Sequence, residues 1–152
     1  MAAARHRGTA VIEVMVNCVI FNDGTFDIYT DKDKSADHVI KLRHGEPMLF
    51  GKENEKALIM DGALPKVVQL SDMNVSKEKI MKHDKAFASS SYAYMLASME
   101  HPQFPMPVGI LRQVTAPTYE DSMKEQENEI TSRRKRPGLD EILCAGDTWV
   151  VR

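Results

Sequence analysis

The stretch Gly8-Thr-Ala-Val-Ile-Glu-Val-Met-Val-Asn-Cys-Val-Ile-Phe-Asn-Asp-Gly24 decides how this chain is read. Val11 to Val16 is apolar except for Glu13, and four of its six residues are β-branched. A short run of that kind, bounded by Gly8 and a polar loop, predicts a strand covered on both faces, as in a parallel sheet. A buried helix segment is the alternative and fits the β-branched content less well. Cys18 follows directly, at the end of the predicted strand, which is where α/β folds gather their cofactors. On spacing alone the plainer readings of Cys18 are a buried structural thiol or an incidental surface one, because free cysteine is among the most buried residue types.

Upstream, Ala2 to Arg7 has the look of a helix tail, rich in Ala, then basic, then stopped by Gly8. An element that is already ending at residue 2 suggests that a preceding domain is missing. Downstream, Asn22-Asp23-Gly24 is a turn signal, and Asp31 to Asp37 is all small or charged and reads as a solvated segment. His38 to Leu42 and Pro47 to Phe50 predict two short strands around His44-Gly45-Glu46, with Gly45 placed to adopt a positive φ. Lys56 to Met60 and Lys66 to Leu70 predict two more, so residues 31–70 are expected to form a small β-rich insertion. Ser76 to His83 reads as a short helix, with Val75 and Ile80 available for burial. Ser90 to Met99 is a clearer one, because Tyr92, Met95, Leu96 and Met99 fall on a single stripe. The prolines of His101-Pro-Gln-Phe-Pro-Met-Pro107 end it. A strand over Val108 to Val114 follows, and then a long polar helix with Thr118 as its N-cap and Asp121 three residues on. That helix has few apolar residues, Met123 and Ile130 among them, so it lies on a surface or crosses to a partner. Leu139, Ile142, Leu143 and Trp149 read as short apolar anchors of the tail.

With 152 residues, 43% hydrophobic and 28% charged, the chain has the length and composition of one globular domain. A formal net charge of −2 gives no general electrostatic case for nucleic acid or an anionic membrane. No run of about 18 apolar residues offers a transmembrane helix, and no apolar core follows the basic start to make a secretory signal. Two cysteines, Cys18 and Cys144, are too few and too far apart for a disulfide framework or a complete metal site, and fit a reducing cytoplasm.

The chemistry legible in the residues themselves is sparse. P-loop, GxGxxG, HExxH and GxSxG patterns are absent. His38 and His44, with Asp37 and Glu46 nearby, match no familiar metal spacing and read as exposed loop histidines. Ser89-Ser90-Ser91 reads as a helix cap. Arg133-Arg-Lys-Arg136 reads as a solvated helix end, where cations offset the C-terminal dipole, ahead of a phosphate site. Methionines on the Ser90 to Met99 stripe read as core filler.

Three segments taken together resemble a family. Gly8 to Gly24 is similar to the strand and cysteine loop of the β subunits of 2-oxoacid:ferredoxin oxidoreductases. His44-Gly-Glu-Pro-Met-Leu-Phe-Gly51 is similar to the hairpin after it. Pro105-Met-Pro-Val-Gly-Ile-Leu-Arg-Gln-Val-Thr-Ala-Pro-Thr-Tyr-Glu-Asp121 resembles the C-terminal strand and helix. The hairpin and the ending Leu139-Asp-Glu-Ile-Leu-Cys-Ala-Gly-Asp-Thr-Trp149 resemble the 2-oxoglutarate-type branch more than the pyruvate type. The resemblance implies an α/β chain, the C-terminal portion of a doubly wound thiamine diphosphate-binding fold, and a single partial domain over residues 1–152. It implies a complete enzyme in which thiamine diphosphate is held through Mg²⁺, a 4Fe–4S cluster carries electrons to ferredoxin, and coenzyme A takes the acyl group after CO₂ leaves.

Under this resemblance the position of Cys18 is that of the fourth cluster ligand, and Cys144 matches no ligand and reads as structural. The family's other cluster cysteines, and its Gly-Asp-Gly…Asn segment for Mg²⁺ and diphosphate, have no counterpart in these residues. The expectation is therefore a component that is inactive alone, binding neither cofactor by itself. It would work with an α subunit and a missing N-terminal β half, while the competing expectation is a non-catalytic interaction module that keeps only a docking face.

Overall fold

Backbone pairing in the middle of the chain follows the alternation of its short apolar runs. The structure is a computed structural model that describes all residues except 73–75, 134–136, 148, 150 and 152. It divides into two compact units, one of Met1–Ile12 with Thr115–Arg152 and one of Glu13–Val114.

In the larger unit, two short helical turns, α2 (Asp27–Thr30) and α3 (Ser35–His38), lead into strand β1 (Val39–Leu42). Strands β2 (Leu49–Phe50), β3 (Lys56–Asp61) and β4 (Leu64–Gln69) form an antiparallel sheet in chain order. Helix α4 (Ser90–Ala97) comes next, and strand β5 (Met106–Gly109) then pairs with β1 in parallel, Val39 opposite Met106 and Leu42 opposite Gly109. Gly109 is required there: at φ +132 a Cβ would lie 2.8 Å from the Leu42 carbonyl oxygen. The result is a mixed α/β chain with a parallel pair and a small antiparallel sheet, as the fold-class expectation has it.

The core sits between these elements. Ile40, Leu42, Met48, Phe50, Leu58, Leu96 and Met99 are buried together, with Tyr92 and Met95 packed against them. The predicted helical stripe is therefore the face α4 turns inward, although the helix stops at Ala97 rather than Met99. Ser89 caps it by accepting from the Ser91 N–H at 3.2 Å. Gly45 has the predicted positive φ, +81.

Four expectations are corrected. Val11 to Val16 forms no strand: Val11, Ile12, Val14 and Val16 are 92, 69, 69 and 70% exposed. Among the described residues the run has no ladder partner, and an apolar strand without a neighbour or a cover has nothing to hold it. Ser76 to His83 is not a helix but a single 3-10 turn, Lys77–Lys79, followed by an extended segment. There Met81 N–H donates to Leu58 O at 2.8 Å and Met81 O accepts from Met48 N–H at 2.8 Å, so an open sheet position outweighs local helix preference. Ile80 is half-buried in this arrangement, and Val75 lies outside the described residues. The last predicted strand is shifted: β5 begins at Met106 and ends at Gly109, beyond which Gln113 N–H bonds Lys85 O at 2.6 Å instead. The tail anchors Leu139, Ile142, Leu143 and Trp149 are exposed.

The smaller unit holds α1 (Ala2–Arg5), the long α5 (Tyr119–Arg133) and the short α6 (Leu139–Leu143). Thr118 caps α5 as predicted, its Oγ1 accepting from Asp121 N–H at 3.1 Å. The Arg7 guanidinium grips the Asp121 carboxylate with two bonds of 2.7 and 2.9 Å. No described residue of α5 is buried, in keeping with its polar sequence. No helix among the described residues is long and apolar enough to cross a membrane.

Candidate functional site: the Cys18 loop

Residues 17–25 fold back on themselves in a tight loop. Asn22 N–H donates to Cys18 O at 2.9 Å, closing a turn across Val19, Ile20 and Phe21. Asn17 Nδ2 donates to Asp23 Oδ1 at 2.7 Å, and the same carboxylate oxygen accepts from Gly24 N–H at 3.0 Å. Thr25 Oγ1 donates to Asn22 O at 3.0 Å. Asn17 and Asp23 thus fasten the loop, which is the turn-holding work these residue types do elsewhere.

The loop's effect on Cys18 is electrostatic. The backbone amides of Phe21, then Ile20, and less so Asn22 lower the pKa of the thiol from its ordinary value. Amides converging in this way favour an anion, and the thiolate is the form that ligates metal. Cys18 is exposed, which removes the buried-structural-thiol reading and leaves the sulfur accessible. A 4Fe–4S cluster takes four cysteine ligands. The loop supplies a single sulfur.

The remaining candidates do not gather into a site. His38 stands edge-on to His101, ring centroids 4.9 Å apart, while His44 Nδ1 faces Asp84 Oδ1 at 3.4 Å. Asp37 is taken up by Lys56 Nζ at 2.6 Å, and that ammonium holds the carboxyl below the usual range. Glu46 faces Arg43 at 3.8 Å. Among the described residues no group of three or more His, Cys, Asp or Glu side chains converges on a common point. Cys144, read as structural, is exposed at the end of α6, so it packs into no core. Arg133 pairs with Glu129 one turn back at 2.5 Å, and the rest of the basic run, residues 134–136, lies outside the described residues.

One polar residue escaped the sequence reading. His83 is buried, with Nε2 2.9 Å from Ile110 O and Nδ1 3.2 Å from the Tyr92 hydroxyl. With Nε2–H donating to the carbonyl, Nδ1 accepts from Tyr92. His83 backbone groups also bond Gly45 N–H at 2.8 Å and Glu46 O at 3.0 Å. This histidine ties the β1–β2 connection, α4 and the segment after β5 together. Its only sequence signal was its place just after the apolar pair Ile80-Met81.

Comparison with known proteins finds the chain similar to a 2-oxoglutarate oxidoreductase subunit, in keeping with the resemblance read from its sequence. The relative is 2-oxoglutarate oxidoreductase subunit KorB of Mycobacterium tuberculosis, 35% identical over 155 residues. The match takes in 99% of this chain but 40% of the relative, so the chain spans about two-fifths of the length of the protein it resembles. No family model and no solved structure matches the chain.

Proposed function

We propose that this chain is the cysteine-loop portion of a 2-oxoacid oxidoreductase β subunit and acts only together with the remainder of such a subunit. The observation that carries the reading is identity of 35% along nearly the whole chain to a subunit more than twice as long. On this reading the substrate is a 2-oxo acid, 2-oxoglutarate first, with coenzyme A as acyl acceptor and ferredoxin as electron acceptor. Thiamine diphosphate with Mg²⁺ supplies the carbanion chemistry of decarboxylation when bound, and its ligands belong to the part of the subunit outside the match. The α subunit is the further partner.

The role of this chain's own residues is narrower. Cys18, whose pKa the backbone amides of Phe21, Ile20 and Asn22 lower, serves as one ligand of a 4Fe–4S cluster. Asn17 and Asp23 keep that loop closed while the sulfur is engaged.

The test is reconstitution. The chain is co-produced with an α subunit and with the part of KorB outside the match, and 2-oxoglutarate- and coenzyme A-dependent reduction of ferredoxin is measured. Activity should require all the polypeptides, and Cys18→Ser should remove the visible absorbance of the cluster. Tight binding of thiamine diphosphate by the chain alone, seen by calorimetry, would overturn the reading. Stable assembly without activity would favour an interaction module instead.

A further inference from the structure

We infer that α5 is a docking helix for a basic amphipathic helix of another protein, which lies along the stripe Tyr119, Met123, Gln126 and Ile130 and is selected by the glutamates beside it. The inference stands apart from the Cys18 reading and uses none of its residues.

The stripe follows from spacing. Steps of four, three and four residues keep these side chains within about 60° of arc on a helix of 3.6 residues per turn. Tyr119, Met123 and Ile130 are 76, 45 and 50% exposed, and no described residue of α5 is buried. A lone helix of this length is marginal in water, because helices in proteins are held chiefly by packing of an apolar face. The tertiary bond that α5 does make lies elsewhere: Arg7 grips Asp121, which is about half a turn round from the stripe. That bond fastens the helix from behind and leaves the apolar side open among the described residues.

Charge selects the occupant. Glu120 and Glu127 border the stripe on one side and Glu129 on the other. Charges at these margins decide which helices pair and which do not. Glu129 already faces Arg133, so Glu120 and Glu127 carry most of the selection. Five acidic residues against two basic ones give Tyr119–Arg133 a net charge of −3. A helix with Lys or Arg at its own margins meets opposite charge along this face, whereas a second α5 would set −3 against −3. Gln126, in the middle of the stripe, trades stability for register, as a polar residue within such a seam does.

The experiment titrates the full chain into two labelled helical peptides and reads binding by fluorescence anisotropy. Both peptides carry the same leucine stripe, one with lysine margins and the other with glutamate margins. The lysine peptide should bind about tenfold or more tightly than the glutamate peptide. The difference should shrink to about twofold between about 0.05 and about 0.5 M salt. Met123→Ala with Ile130→Ala, which keeps the charge and the helix preference, should weaken the lysine peptide about tenfold. The same double variant should leave the unfolding of the chain unchanged, because both side chains are exposed. Glu127→Lys should reduce the preference for the lysine peptide severalfold. Failure of both peptides to bind overturns the inference. Equal binding of the two peptides, or lysine-peptide binding that the double variant leaves intact, also overturns it, since the attraction would not lie on the stripe. Light scattering of the chain alone should report a monomer. A dimer that the double variant dissolves assigns the stripe to a second copy and overturns the inference.

Discussion

Two runs of similar sequence have opposite surroundings. Lys56 to Asp61 of β3 carries Ala57, Leu58 and Ile59 between β2 and β4, and Ala57 and Leu58 are fully buried. Val11 to Val16 is at least as rich in β-branched residues, yet four of its apolar side chains are exposed. Propensity does not separate them. What separates them is the neighbour: β3 has a partner a few residues away on either side, joined by Gly51 to Glu55 and by Gly62-Ala63. The other run has none within reach of a turn. A strand is a pairing before it is a conformation, and stability comes from cross-strand contacts and burial that a lone segment cannot make.

The comparison breaks most readily at its buried side. Leu58→Ala should cost about 2–5 kcal/mol in chemical denaturation, since it leaves a cavity in the core. Val14→Ala should change stability by no more than about 0.5 kcal/mol, the range for surface positions. If Val14→Ala proved as costly as Leu58→Ala, the run would be packed in solution and the contrast would vanish.

Much of the closed region was legible because its signals are local. The stripe Tyr92, Met95, Leu96, Met99 specified the inward face of α4, Gly45 marked a turn needing positive φ, and Thr118 announced a helix start. What could not be read were consequences of distant pairing. Ser76 to His83 has a helix-compatible sequence but an extended structure, because Pro47 and Ile59 offer bridges to Lys82 and Ile80. His83 became a structural hub through Ile110 and Tyr92, neither of which its own neighbourhood in sequence predicts. Of the site, the position of Cys18 was legible and its company was not, since the amides that surround the sulfur depend on how the loop closes.

That hub gives the next, smaller effect. His83→Leu keeps comparable bulk but leaves the Ile110 carbonyl without its donor and the Tyr92 hydroxyl with Met48 Sδ, 3.6 Å away, as its remaining acceptor. A loss of about 1–3 kcal/mol is expected from the unsatisfied groups. Tyr92→Phe added to His83→Leu should cost little more, because the His83 bond is already gone and the hydroxyl's other contact, Met48 Sδ at 3.6 Å, is weak. Burial already pushes the Tyr92 hydroxyl above its ordinary pKa of 10.0, so its neutral, donating form is the one the fold holds. Full additivity of the two losses would show that the hydroxyl takes its stability from elsewhere.

The smallest effect lies in the open region and asks whether its one organised feature exists without a partner. The Cys18 loop closes on its own hydrogen bonds, so its influence on the thiol should already be present in the isolated chain. With Cys144→Ser removing the other thiol, the rate of alkylation by iodoacetamide is followed against pH. The amides of Phe21, Ile20 and Asn22 stabilise the thiolate, so less hydroxide is needed to form it. The midpoint of the folded chain should therefore lie below the ordinary 9.0, and unfolding in urea should move it back up toward that value. Asn17→Ala, which cuts the bond to Asp23, should move the folded midpoint partway in the same upward direction. A folded midpoint equal to that in urea would mean that the loop is as unformed in solution as the strand before it is unpaired.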